Sequence, residues 1–208
     1  EIFASHPSVA SLIANIASLS EPLSATIIRD PSALEALLSP GGVTAHRSPE
    51  ALAARLALYL AVAPDARRAK LMVKAEETLR IGVRFLMGLS SARATCGEIT
   101  ALAELVLGEP PFGVVALGRF GTRSLGWGSD LDLVFVAEGA VPETQAAVAK
   151  AVDEWQSLGL KIDARLRPMG RTSPLVTDAD ALERYFERDA ETWERIAWTR
   201  ARVVAGSP

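Results

Sequence analysis

Along the first hundred residues, apolar positions recur every three or four places, the spacing of helices that bury one face. Val9, Leu12, Ile13, Ile16 and Leu19 share such a face within Ser5–Leu19. Asp30-Pro31 has the form of a helix start, with Asp as cap and Pro at the first position, and Ala33 to Leu38 continue it. Gly41-Gly42 breaks the chain, and Ser48-Pro49 restarts it with a stripe of Leu52, Leu56, Tyr59 and Leu60. Pro64-Asp65 opens a long run to near Leu89, with Leu71, Met72, Ala75, Leu79, Val83 and Leu86 on its apolar side. Gly82 weakens that run by about 1 kcal/mol relative to Ala. Thr95-Cys96-Gly97-Glu98 has the spacing of a capping box, ahead of Ile99, Leu102, Leu105 and Val106. Residues 1–108 therefore read as a helical subdomain.

The pattern changes at Phe112. Val114 to Leu117 is a short apolar run with the length of a buried strand. A Gly-rich crossing follows, Gly118 to Ser129, and then Asp130-Leu131-Asp132 leads into a second apolar run, Leu133 to Ala137. This predicts a strand, a turn with a short helix, and a second strand. After a turn at Glu138 to Ala140, Pro142 begins a helix lined by Val148, Val152 and Trp155, which Gly159 stops. Leu160 to Leu166 predicts a third strand, with Asp163, Arg165 and Arg167 on one face and Ile162, Ala164 and Leu166 on the other. Thr177 is the expected cap of a last helix whose buried side is Leu182, Tyr185, Phe186, Trp193 and Ile196. The fold class expected is α+β: the helical part, then a domain over 109–208 with a small mixed sheet flanked by helices.

Composition narrows the class. The 208 residues carry a net charge of −3, which argues against a general nucleic-acid binder. A single cysteine, Cys96, makes no internal disulfide and fits a reducing, cytoplasmic setting. No apolar run has the length of a membrane span. A chain beginning at Glu1 without Met reads as one part of a longer protein. His6 and His46 are not spaced as metal ligands, and neither is assigned chemistry.

The candidate chemistry lies in the second half. Strand periodicity sends Asp130 and Asp132 to one face, where two carboxylates repel unless a cation sits between them. Hard oxygen ligands on a rigid strand suit Mg²⁺, which also takes oxygens from a substrate phosphate. Glycines ahead of them let the backbone approach that phosphate. Asp163, Arg165 and Arg167 in line add a third carboxylate for metal and two planar guanidiniums for phosphate, although either arginine also suits a structural ion pair. Arg123 reads as a solvated residue. Trp127 suits either stacking on a base or packing.

At Gly118-Arg119, followed by Asp130-Leu131-Asp132 on the next strand, the sequence resembles the nucleotidyltransferase superfamily that includes DNA polymerase β. Within it, three segments in order resemble the glutamine synthetase adenylyltransferase (glutamate-ammonia-ligase adenylyltransferase) family. They are Gly118 to Leu125 with Ser129 to Phe135, then Ile162 to Gly170 with Ser173 to Val176, then Trp193 to Arg202. Thr122, Ser124 and Ser173 depart from that family's pattern, and the link from Glu138 to Gly159 is shorter than its usual one.

The resemblance implies a two-metal nucleotidyl transfer. Asp130, Asp132 and Asp163 would be catalytic and hold Mg²⁺. Gly118, Arg119, Ser129, Arg165 and Arg167 would bind the nucleotide. The substrate would be ATP, or ADP and phosphate in reverse, and the protein partner glutamine synthetase, with AMP added to or removed from a tyrosine. A PII signalling protein would be a regulator. The acidic triad serves adding and removing alike, so the direction stays open. So do two other readings: the same fold acting on another acceptor, and a non-catalytic nucleotide-binding regulator.

Overall fold

A computed structural model describes residues 7–39, 42–44, 46–139 and 141–206 of the chain. The expected start at Ser5, His6, Gly41 and Ala140 lie outside the described residues. The fold is α+β, in two compact units, residues 1–98 and 99–208. Among the described residues no helix is long and apolar enough to cross a membrane.

The first unit is helical: α1 Pro7–Leu19, α2 Glu21–Arg29, α3 Ala33–Leu38, α4 Pro49–Val62, α5 Ala66–Leu86 and the start of α6 Ala92–Leu107. Ser48 and Asp65 cap α4 and α5 by accepting from Ala51 N and Arg68 N. Three expectations are corrected. Helix α2 was not foreseen; Ser20 caps it and Asp30 ends it, so Asp30 is a C-cap and not the start of α3. The Thr95–Glu98 capping box lies inside α6, whose first turn is instead held by Ser91 Oγ, which accepts from Ala94 N. Leu19, Leu60 and Leu86 are exposed, outside the core that Ile16, Leu23, Ala33, Leu37, Leu79 and Val83 form.

Beside that core lies a buried network of charges that periodicity alone does not disclose. Glu76 accepts from Arg47, Arg55 and the Tyr59 hydroxyl. Glu77 takes Arg47 and Arg80, and Arg80 also reaches Glu98. Arg84 donates to the carbonyls of Val43 and Thr44. Burial next to the Glu76 carboxylate pushes the Tyr59 phenol up to about 12. Arg80 is 1% exposed, so its charge depends on partners within the protein.

The second unit is built on a sheet. β1 Gly113–Ala116 lies antiparallel to β2 Leu131–Ala137 and to β5 Arg202–Ala205. The far edge of β2 is shared: its first residues pair with β3 Ile162–Asp163 and its last with β4 Val176–Asp178, both parallel. Val115, Leu117, Val134 and Val136 face Leu166, Leu182 and Trp198. On the opposite side Phe112, Phe135 and Trp155 meet with ring centroids 6.0–6.4 Å apart, and the Trp155 indole donates to Leu107 O at 3.1 Å. Trp155 comes from α8 Pro142–Ser157, which follows the short α7 Gly118–Gly121.

Two sequence readings fail here. The third strand was expected over Leu160 to Leu166 but ends at Asp163, because the Asp163 carboxylate accepts from Arg165 N at 2.9 Å and turns the chain. Thr177 does not cap the last helix. It lies in β4, and Asp178 caps α9 Ala179–Arg188 by accepting from Ala181 N. A separate helix follows, α10 Thr192–Trp198, on which Trp193 and Ile196 are 54% and 62% exposed. The terminal strand β5 was also unforeseen.

Arg80→Ala removes one of the two arginines that meet Glu77 and the nearer of the two beside Glu98, in a buried setting. The expected loss is about 3–5 kcal/mol, read as a fall in the urea midpoint at unchanged far-ultraviolet spectrum; a midpoint within error of the parent's would show the network to be dispensable.

Candidate nucleotide and metal site

The site is set by one register. Asp132 of β2 stands opposite Asp163 of β3 in the parallel ladder, with Leu131 opposite Ile162. Residues opposite one another in a ladder send their side chains to the same face. Two carboxylates are thus held side by side, and Asp130 precedes them, exposed, at the entry to β2. The Asp132 carboxyl is pushed above the ordinary carboxylate value, first by burial and then by the charges of Asp163 and Asp130, against the pull of Arg119 and Arg165.

Gly118, at the end of β1, has a φ of 52°, and a Cβ there would fall 2.2 Å from Asp132 Oδ2. Only glycine leaves this approach to the carboxylate open. Three residues on, a Cβ at Gly121 would fall 2.0 Å from Arg200 O. Arg202 of β5 fixes the same turn by donating to Phe120 O at 3.0 Å and Gly121 O at 3.1 Å, and it pairs with Glu104 at 2.6 Å.

The remaining expected residues fall as follows. Arg165 is on a turn, not a strand face, and its Nε donates to both Asp163 oxygens at 2.8 and 2.7 Å, with Nη2 on Oδ2. Arg167 is turned inward: its Nη1 donates to Ala164 O, and its Nε and Nη2 to Ser173 O at 3.3 and 3.2 Å. It closes the loop between β3 and β4. Arg119 is exposed on α7. The Ser129 hydroxyl accepts from Gly126 N at 3.1 Å, closing the turn before Asp130. Asp130, Asp163, Arg165 and Arg167 line one open cavity of about 340 Å³ together with Ile162 and Ala164. Gly118 and Asp132 adjoin these acids by contact and register; Arg119 and Ser129 are not in the cavity wall.

Two supports were missed. Lys161 binds the turn through Nζ to Gly128 O at 3.2 Å, while its own carbonyl accepts from Leu131 N. Thr100 Oγ1 accepts from Leu125 N. Both act through backbone atoms, which no side-chain pattern announces. Arg202, by contrast, ends the third matched segment and was visible there.

The donor chemistry suits a hard divalent cation. Carboxylate oxygens are collected on adjacent strands, their mutual repulsion is only partly offset, and the cradle at Gly118 carries no Cβ. Among the described residues no three His, Cys, Asp or Glu side chains already converge on a point as ligands. Asp163 is turned onto Arg165 instead.

The family model described as glutamate-ammonia ligase adenylyltransferase matches residues 10–110 and 156–208. The stretch that carries Asp130 and Asp132 falls between these segments, but relatives align through it. A protein of Caulobacter vibrioides is 30% identical over the whole chain, which covers 24% of its length. One of Methylococcus capsulatus is 31% identical over the whole chain and 27% of its own length. One of Ralstonia nicotianae is 34% identical over 64% of this chain and 17% of its own. Each bears the name bifunctional glutamine synthetase adenylyltransferase/adenylyl-removing enzyme. The chain spans about a quarter of the length of the first two. With more than half of its residues in the family match and whole-chain identity of 30%, the chain belongs to the glutamate-ammonia ligase adenylyltransferase family.

Proposed function

We propose that residues 99–208 form a nucleotidyl-transfer module acting on glutamine synthetase in the cytoplasm. It would transfer AMP from ATP to a tyrosine hydroxyl, or remove it by phosphorolysis with release of ADP. The observation that carries this is the register of Asp132 against Asp163 beneath the Gly118 turn. It fixes an acidic pair beside a backbone that a phosphate can approach, and the activity for which the relatives are named supplies the reaction class.

In this reading Asp130, Asp132 and Asp163 hold Mg²⁺. When bound, the metal supplies Lewis-acid neutralisation of phosphate charge. Gly118 admits the phosphates to the edge of β1, with Ser129 shaping the turn that follows. Arg119 and Arg165 offset the charge of the polyphosphate, and Arg167 holds the loop on which Arg165 rides. An Asp163 carboxylate oxygen accepts the proton of the attacking hydroxyl. In the adding direction the oxygen–phosphorus bond to the acceptor forms as the bond to pyrophosphate breaks. In the removing direction a phosphate oxygen attacks and the tyrosine oxygen leaves with the proton.

A second acceptor is favoured by one observation. The Caulobacter alignment runs over 243 positions against 208 residues here, so the relative carries segments without counterpart. Thr122 and Ser124, hydroxyl to hydroxyl at 2.8 Å on the exposed rim, add to this difference. Another protein tyrosine is the natural alternative.

Incubation of the chain with Mg²⁺, α-labelled ATP and unmodified glutamine synthetase is expected to place label on the synthetase; with phosphate and adenylylated synthetase, ADP is expected if removal is the resident activity. Neither product, while a different protein takes the label, would establish the second reading. Neither product with any acceptor would remove the transferase reading.

Asp130→Asn and Asp132→Asn are each expected to lower transfer by about 100-fold or more with the fold retained by circular dichroism. Near-parental turnover in both would dismiss them as ligands.

The raised Asp132 carboxyl makes a further demand on stability. The folded state holds this proton more tightly than the unfolded chain. Metal-free stability therefore falls as pH rises from the ordinary value near 3.8 through the raised one. Asp132→Asn is expected to flatten that fall and raise the melting temperature at neutral pH without metal. A lower melting temperature would mean that the carboxylate is net stabilising as it stands.

A further inference from the structure

The acidic cluster contains a counter-ion of its own. Both Asp163 oxygens accept from the Arg165 guanidinium, and Oδ1 also accepts from the Arg165 backbone N–H. These are the oxygens that the proposed chemistry requires for the cation. The two side chains differ in setting: Arg165 is 61% exposed and Asp163 only 14%. A half-buried carboxylate is anchored on a strand, while its partner sits on a turn facing the cavity both residues line. An ion pair with one arm so exposed is weak, because water screens it and the long side chain is costly to order. It is thus an exchangeable partner and not a structural one such as Arg80.

Asp132 and Asp130 face the same charge. Arg165 draws on all three acids, first through hydrogen bonding to Asp163 and then through the charges of Asp163, Asp130 and Asp132. A divalent cation entering this cluster meets Arg165 on Asp163. A polyphosphate entering the cavity offers the guanidinium a more highly charged anion that it can fork onto equally well.

We propose that Arg165 is a positioning residue that exchanges partners: it occupies Asp163 while the site is empty and moves to the nucleotide phosphates when they bind, freeing Asp163 for the metal. The inference rests on the nucleotidyl-transfer reading and deepens it. Its consequence is a coupling. Metal alone binds poorly because it competes with Arg165, nucleotide alone leaves the acids unneutralised, and each improves the other's affinity by the same factor. Arg167, tied to Ala164 O and Ser173 O, keeps the turn in place and does not exchange.

The test is Mn²⁺ binding to the 208-residue chain, followed by electron paramagnetic resonance with and without a non-hydrolysable ATP analogue, in the parent, Arg165→Ala and Arg165→Lys. The parent is expected to bind Mn²⁺ weakly alone and at least about 5-fold more tightly with the analogue. Arg165→Ala is expected to bind Mn²⁺ alone several-fold more tightly than the parent, although no ligand has been added, and to lose most of the gain from the analogue. Arg165→Lys should fall between, as a point charge without the fork. Unchanged or weaker Mn²⁺ binding by Arg165→Ala without nucleotide, in a chain whose parent binds the metal, would overturn the exchange and leave the transferase reading standing. A parent that binds no Mn²⁺ under either condition would overturn both.

Discussion

Two like charges set side by side by strand register are the constraint around which the second unit is built. The parallel pairing of β2 with β3 holds Asp132 beside Asp163, and burial keeps water from screening them fully. Such an arrangement is unfavourable by itself, so it persists only because the surrounding structure imposes it. Hydrophobic packing on both faces of β2 supplies that imposition: Val134 and Val136 on one side, Phe135 against Phe112 and Trp155 on the other. Burying each such apolar side chain is worth about 1.5–3 kcal/mol. A few of them outweigh the repulsion of one acidic pair, so the sheet can hold its register without a bound cation.

The approach to these acids is built by backbone and not by side chains. Gly118 and Gly121 leave no room for a Cβ, the first against Asp132 and the second against the carbonyl of Arg200. Arg202 then takes the carbonyls at the end of α7, so the last strand of the sheet fixes the turn that begins after the first. Residues eighty positions apart are brought together at one corner. A change at Arg202 would therefore be felt at the Gly118 turn although its guanidinium makes no contact with the acids.

Much of this was legible in the sequence because its cause is local. Alternation across Leu131 to Ala137 follows from the pleat, and Asp130 and Asp132 ahead of an apolar run demand a charge partner whatever the tertiary context. Helices α4 and α5 carry their start signals in Ser48 and Asp65. What escaped depends on partners far along the chain. β4 and β5 are three and four residues long, too short for a period to show, and exist because β2 and β1 have edges to fill. The strand predicted over Leu160 to Leu166 failed for a local reason that alternation ignores: an aspartate that can bond the N–H two residues on competes with the ladder. Arg167 fitted a phosphate pattern or an ion pair with an acid, and its bonds to the Ala164 and Ser173 carbonyls, a loop clamp, belong to neither pattern.

The two units treat charge in opposite ways, and the contrast separates structure from chemistry. In residues 1–98, Glu76, Glu77 and Glu98 are each met by arginine, and the arginines reach carbonyls or a phenol as well. The three glutamates are nearly fully buried, so leaving one without a partner would be costly, and the network ties these helices together. In residues 99–208 the acids are more exposed, crowd one another, and are offset by an arginine that water can reach. Burial among several arginine partners marks a scaffold. Partial burial with repulsion left over is what the proposed cation site would draw on. By that criterion the buried glutamates of α5, Glu76 and Glu77, each met by two arginines, are the poorer candidates for chemistry.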